Sequence, residues 1–400
     1  MAVSLVSLVV MMGSSMVTPS LTLYAKQIIH TNEFLVGAAI AGFAIGRLIF
    51  DIPAGFVTDT LGLNTAMIVG LSILLGASFL AGFAWSYWIL LSARVLEGIG
   101  SSLYVSAAIA FVLLSSETTK RGTNIASYQS ILMLGPIVGP AIGAPVAAFL
   151  GYNAPYFAYA AMIIVAIVII SVLSHLQKFS IKKTHNDRQS RHASPIVYLN
   201  SAAIATFGFA FLRSAIYTTG VPLFAYGSMS LSVFQVGIIL TMASLANLLS
   251  SFFSGRLTQR HGMRRPLFAA ILVSAVLVVI IPLSASMASL LIIITLIGVT
   301  SGFFGQSIAW AAEQIEQKVK RDSKVRGNLT LGIQSHVTRG IGFNRLIGDL
   351  GLVLGPLFVG YFISSLGNNP LLWFISFGST GGVLGLISLL ILYTKAHPTA

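Results

Sequence analysis

A chain of 400 residues that is 56% hydrophobic and 8% charged, with mean hydropathy +0.90, excludes an ordinary soluble domain, which carries about 25% charged residues. The lack of any cysteine excludes disulfides, thiolate metal ligands and cysteine nucleophiles. The formal net charge of +13 raises nucleic acid as a partner, so the position of the positive residues decides what that charge means.

Apolar runs divided by turn or charge signals predict six membrane-crossing helices at about 2–25, 34–57, 65–84, 88–113, 124–149 and 153–174. Six more follow at about 198–224, 233–254, 266–284, 287–311, 342–365 and 371–393. Runs of this length without alternation rule out a β-barrel, and the fold class is an all-α integral membrane bundle of twelve helices. The apolar start has neither a basic leader nor an evident cleavage site and reads as the first span. The polar stretch HLQKFSIKKTHNDRQSRHASP near the midpoint divides a six-helix half at 1–174 from one at 198–400, leaving 175–197 as a cytoplasmic linker.

Lys and Arg gather in loops that follow even-numbered spans, among them Lys120, Arg121, Lys178, Lys182, Arg256, Arg260, Arg264, Arg265, Lys318 and Arg321. Loops after odd-numbered spans hold only Lys26. The positive-inside rule then puts both termini in the cytoplasm of a multi-pass cell-membrane protein. It accounts for the basic charge through topology and anionic lipid, without nucleic acid. Tyr24, Trp85, Tyr87, Trp88, Tyr152, Tyr226 and Trp373 fall at the other ends, where an aromatic belt is expected.

Landmarks recur at a shift of 200: Gly55 and Gly62 with Gly255 and Gly262, and Gly98 with Gly298. Beyond span ten the shift becomes 216, matching Gly135, Gly139 and Pro140 to Gly351, Gly355 and Pro356. Two parallel halves related by an axis along the membrane normal are a known transporter architecture.

Few ions lie inside the spans. Arg94 and Glu97 stand three apart in RVLEGIG, on one helix face; Arg47 and Asp51 are four apart in span two; Arg345 and Asp349 open span eleven; Arg213 in span seven has no sequence-local acid. Intramembrane charge is costly, which makes each of these a functional hypothesis. All seven histidines lie in or beside loops, so Glu97, Asp51 and Asp349 remain as the candidate proton carriers, with Arg94 beside the first. Arg213 either faces an anionic substrate or snorkels to the interface. Arg47, Gln129, Arg213, Tyr217, Asn247 and Gln306 are the polar groups available to line a cavity.

Three motifs resemble those of the major facilitator superfamily, over the whole chain and most like its drug:proton antiporter branch. GFVTDTLGLN after span two and GRLTQRHGMRR after span eight resemble the family's loop signature, Gly-x-x-x-Asp-Arg-x-Gly-Arg-Arg/Lys. The first keeps Gly55, Asp59 and Gly62; the second keeps Gly255, Arg260, Gly262, Arg264 and Arg265 with Gln259 in the acidic place. The resemblance implies a conformational latch made by these residues and Arg345, in which a carboxylate at a helix N-terminus contributes about 0.3–1 kcal/mol. RVLEGIGSS is similar to the family's Arg-x-x-x-Gly-x-Gly helix, linked in proton-coupled members to proton transfer. LGPIVGPAIGAP, with Gly135, Gly139, Pro140 and Gly143, resembles the antiporter signature Gly-Pro-x-x-Gly and is echoed by Gly351, Gly355 and Pro356. Generic small-residue packing is the alternative reading of that face. In the family's packing spans two and eleven meet, so Asp51 is expected to pair with Arg345 in one state and Arg47 in another.

What the resemblance implies is a monomeric secondary transporter that moves a small molecule by alternating access, as proton-coupled efflux of a drug or metabolite, with no cofactor or metal. The alternatives are a proton symporter or facilitator importing a sugar, organic acid or peptide, a non-transporting sensor, and an integral membrane enzyme. The last lacks Asp-Asp-x-x-Asp and His-Glu-x-x-His motifs, and no phosphate-binding loop is present.

Overall fold

The computed structural model describes residues 2–115, 121–176, 201–311, 313–314, 331–367 and 369–396. Its regular structure there is helical, as backbone groups in lipid require. The first half holds α1 (Val3–Lys26), α2 (Glu33–Leu61), α3 (Leu63–Gly82), α4 (Tyr87–Leu114), α5 (Ser130–Leu150) and α6 (Ala154–Ser174). In the second, α7 runs through Ser201–Ser214, Ala215–Gly220 and Val221–Gly227. It is followed by α8 (Val233–His261), α9 (Arg265–Leu283) and α10 (Met287–Ala311). The last two are α11 (Leu331–Leu366) and α12 (Pro370–Ala396). Ten of the described helices are long and apolar enough to cross a membrane; α7 and α12 stand at the two further positions expected from sequence. The expected linker falls almost entirely within residues 177–200, outside the described residues.

The repeat is written in the backbone as well as the sequence. His30 and Ser230 both have φ 53°, Gly62 and Gly262 have φ 82° and 76°, and Gly151 and Gly367 have φ 102° and 63°. The first two pairs keep the shift of 200, and the third keeps 216. Helix starts repeat too: the Asn32 side chain caps α2 by accepting from the Leu35 amide, and Ser232 caps α8 in a box with Gln235.

Close approach inside each half is set by glycine. A Cβ on Gly98 would lie 2.8 Å from the Arg47 amide nitrogen and against the Phe43 carbonyl, so α4 presses directly on the α2 backbone. Gly298 meets the Ala243 backbone in the matching place between α10 and α8. Gly135, Gly139 and Gly143 all face α1, at Met11, Ser15 and Met16; Gly351 and Gly355 face α7, at Phe207, Phe211 and Ser214. The span-five face is thus a packing surface within its own half.

The same two helices join the halves. Next to its glycine face, α5 offers the Pro140 carbonyl and Ala144 to Gly237 of α8, while α11 offers Pro356 to Gly37 and Gly360 to Glu33 and Phe34 of α2. Tyr226 of α7 also donates its hydroxyl to the Pro19 carbonyl of α1. These contacts cluster at the end away from the basic loops. At the basic end nothing among the described residues lies within 4 Å of a Cβ on Gly55, Gly62 or Gly262, and Arg121–Leu132 packs on α1 and α4 of its own half. The contacts between the halves thus gather toward the far end, where the helix ends and loops also line a partly open pocket of about 480 Å³ at Leu23, Ala147, Tyr152, Tyr226 and Val233.

The aromatic belt needs correction. Trp85 and Trp88 are exposed, but Tyr24, Tyr87 and Trp373 are buried. Tyr24 Oη donates to the Ala81 and Ala84 carbonyls at 2.9 and 3.0 Å, and Trp373 Nε1 to Gly367. Their polar tips tie helix ends together in place of meeting headgroups.

Candidate functional site

Arg94 and Glu97 lie one turn apart on α4 and form an ion pair, at 7% and 1% exposure. The guanidinium sits 5.1 Å from the centroid of the Phe43 ring on α2, a second source of stabilisation for a desolvated cation. The pair is incompletely satisfied: Arg94 Nε and Glu97 Oε1 are buried without hydrogen-bond partners among the described residues, as are the hydroxyls of Tyr156 and Tyr159 on α6. Those tyrosines lie within electrostatic reach of both ions. One carboxylate oxygen and two phenol hydroxyls thus lie buried within electrostatic reach of one another, a setting in which a proton has ready partners.

Asp51 and Asp349 are arranged differently. Ser102 of α4 donates to Asp51 Oδ1 at 2.5 Å, and Arg47 reaches Asp349 Oδ2 at 3.7 Å. The Arg47–Asp349 contact crosses from α2 to α11 and so links the halves. The expected partners of Asp51 were Arg47 and Arg345; in this conformation Arg47 faces Asp349, because the α2–α11 crossing sets residue 349 opposite residue 47. The Arg345 side chain is outside the described residues, as are those of Arg264 and Gln129.

In the loop motifs, Asp59, Gln259, Arg260 and Arg265 are exposed, and Asp59 makes no ion pair with a described residue. The chain turns at Gly62 and Gly262 with ψ near 158°, a combination open essentially only to glycine. Thr258 donates to Gln306 Oε1 at 3.3 Å, a contact between α8 and α10 that ties one cavity candidate into its own half. Asn247 is half-buried on α8. Tyr217 Oη lies 3.5 Å from Ser301 Oγ of α10, and Arg213 is half-buried one turn before it. Among the described residues no group of three or more His, Asp or Glu is placed to hold a metal.

Ser102, Phe43, Tyr156 and Tyr159 were not foreseen. Tyr156 and Tyr159 stand three apart in an otherwise apolar span, a signal the sequence did contain. The pairing of Ser102 with Asp51 bridges two helices, and no spacing rule reveals it.

The model of the Major Facilitator Superfamily matches residues 3–320 and 202–400. The synaptic vesicular amine transporter of Mus musculus is 24% identical over 277 residues, covering 66% of this chain and 51% of that protein. The quinolone resistance protein NorA of Staphylococcus aureus (strain MRSA252) is 25% identical over 214 residues, covering 52% and 54%. The chain spans about half the length of these curated relatives. Among solved structures, the nucleoside transporter NupG superposes with TM-score 0.71 at 14% identity, covering 98% of each chain. A bacterial homolog of the human lysosomal transporter Spinster, inward-facing and unoccupied, gives 0.70 at 14%, covering 98% of this chain and 93% of that one. Those two likenesses concern the fold alone. With the family model matching across both halves, the chain belongs to the major facilitator superfamily.

Proposed function

We propose that the protein is a secondary transporter that expels a small, partly apolar molecule in exchange for protons, its halves rocking about a cavity between them. The observation that carries the reading is the placement of ionisable groups: a buried Arg94–Glu97 pair with an unsatisfied carboxylate oxygen inside one half, and the Arg47–Asp349 pair across the seam. A carboxylate held by a cation in one conformation and released in another changes its proton affinity between them, which is what coupling requires. Efflux is favoured over import by likeness to NorA, whose name ties that protein to quinolone resistance. The termini are read as cytoplasmic from the charge of the loops, which makes the open basic end the inner one.

The test is flux in proteoliposomes with an imposed pH gradient and a panel of organic cations, anions and neutral compounds. The wild type should move at least one compound against the proton gradient. Glu97→Gln should lose gradient-driven accumulation yet keep gradient-free exchange, and Asp51→Asn separates the second carboxylate. Full gradient-driven flux in both variants would exclude these acids as proton carriers.

A further inference from the structure

We propose that Arg213 is an oxyanion subsite, and that the cargo is an amphipathic organic molecule bearing a carboxylate. The inference rests on the transporter reading and specifies what is carried. The three acids inside the spans are each engaged: Glu97 with Arg94, Asp349 with Arg47, and Asp51 with Ser102. Arg47 and Arg94 are thereby neutralised. Arg213 has neither an ion-pair nor a hydrogen-bond partner among the described residues, which leaves it the unanswered cation of the described membrane interior.

Its place is defined by its neighbours along α7. Thr206, two turns earlier on the same stripe, donates to Ser307 of α10 at 3.0 Å, and Tyr217, one turn later, meets Ser301 of α10. Arg213 thus stands between two rungs that join α7 to α10. Opposite it α10 breaks: the chain turns at Gly302 and Phe303 and resumes as helix at Phe304, and no described residue lies within 4 Å of a Cβ on Gly305. The other face of α7 is filled, with Phe211, Ser214 and Ala215 against Gly351 and Gly355 of α11. Arg213 is therefore half-buried on the side of α7 that Thr206 and Tyr217 turn toward α10.

A guanidinium presents a planar fork that matches the two oxygens of a carboxylate, and such a pair strengthens as water is excluded. An uncompensated cation in a membrane interior is costly, and a cargo anion that answers it as the halves close gives that cost a use. The apolar side chains that dominate the bundle would accept the remainder of an amphipathic ligand.

The test uses purified full-length chain in nanodiscs and three probes with one apolar body: naphthalene-2-carboxylate, its methyl ester and 2-naphthylmethylamine. Saturable binding is measured by equilibrium dialysis with empty nanodiscs subtracted. The carboxylate should bind at least about tenfold tighter than ester or amine, the size of a charge-assisted hydrogen bond. Arg213→Gln should remove that preference while ester binding stays, and Arg213→Lys should restore part of it. Equal binding of carboxylate and ester, preference for the amine, or a preference that survives Arg213→Gln would overturn the proposal. If Arg213→Gln fails to fold, the wild-type comparison of acid with ester decides. Failure of the transporter reading looks different: carboxylate bound through Arg213 but no probe moved in pH-gradient proteoliposomes. Gradient-driven flux of the amine without any effect of Arg213 would leave transport standing and remove the anion site.

Discussion

Asp349→Asn should shift the balance between the conformation seen here and its alternative. Arg47 and Asp349 are 3.7 Å apart with side chains 17% and 8% exposed. Coulomb's law at an effective dielectric of about 20 gives roughly 4 kcal/mol for that separation. Much of this is offset by the cost of having taken both groups from water, leaving a net of about 1–2 kcal/mol. If the contact exists only when the far end is closed, the ratio of the two states changes by about five- to thirtyfold. The native chain has no cysteine, so single thiols at Thr60 and Arg260 carry spin labels at the basic end without background. Pulsed electron resonance should show a long distance dominating in the wild type, a growing short component in Asp349→Asn, and recovery in the reversed pair Arg47→Asp with Asp349→Arg. A distribution that changes less than twofold in Asp349→Asn would refute the idea that this pair selects the conformation.

Gly62→Ala should cost about 1–3 kcal/mol because its φ of 82° is strained for any side chain, whereas Gly55→Ala, helical with open space around it, should be neutral or slightly stabilising; thermal melting in detergent compares them. Gly98→Ala should cost about 1–3 kcal/mol by pushing α4 away from the α2 backbone, read by the same melts. Tyr226→Phe removes the hydroxyl that joins α7 to Pro19 of α1 and should raise the accessibility of a thiol at Leu23 by about two- to tenfold; unchanged labelling would show that the far-end closure does not depend on it.

The architecture was legible because lipid leaves the chain few choices. Apolar length gave the spans, and the glycines whose shift of 200 marked the repeat prove to include turn positions, 62 and 262, that need positive φ. Gly98 and the 135–143 stripe were legible as close-packing positions for the same reason, since small residues spaced along one face advertise contact without naming the partner. Partner identity is where the sequence stopped. Local pairs such as Arg94–Glu97 follow from helical spacing, but Arg47–Asp349 and Asp51–Ser102 depend on how α2 crosses α11 and α4. The buried ends of Tyr24 and Trp373 were misread because an amphipathic ring near a helix end suits either a headgroup or an unpaired carbonyl, and only packing decides between them.

The most direct measurement of the central claim, that the halves must part at the end where they are now closed, is a reversible lock placed there. Ala147 of α5 and Val233 of α8 belong to one small apolar cluster with Leu23 across the seam. Replaced by cysteines and joined with a short cleavable bis-thiol reagent, they should abolish gradient-driven flux in proteoliposomes, and cleavage should restore it. Undiminished flux in the locked protein would contradict the account.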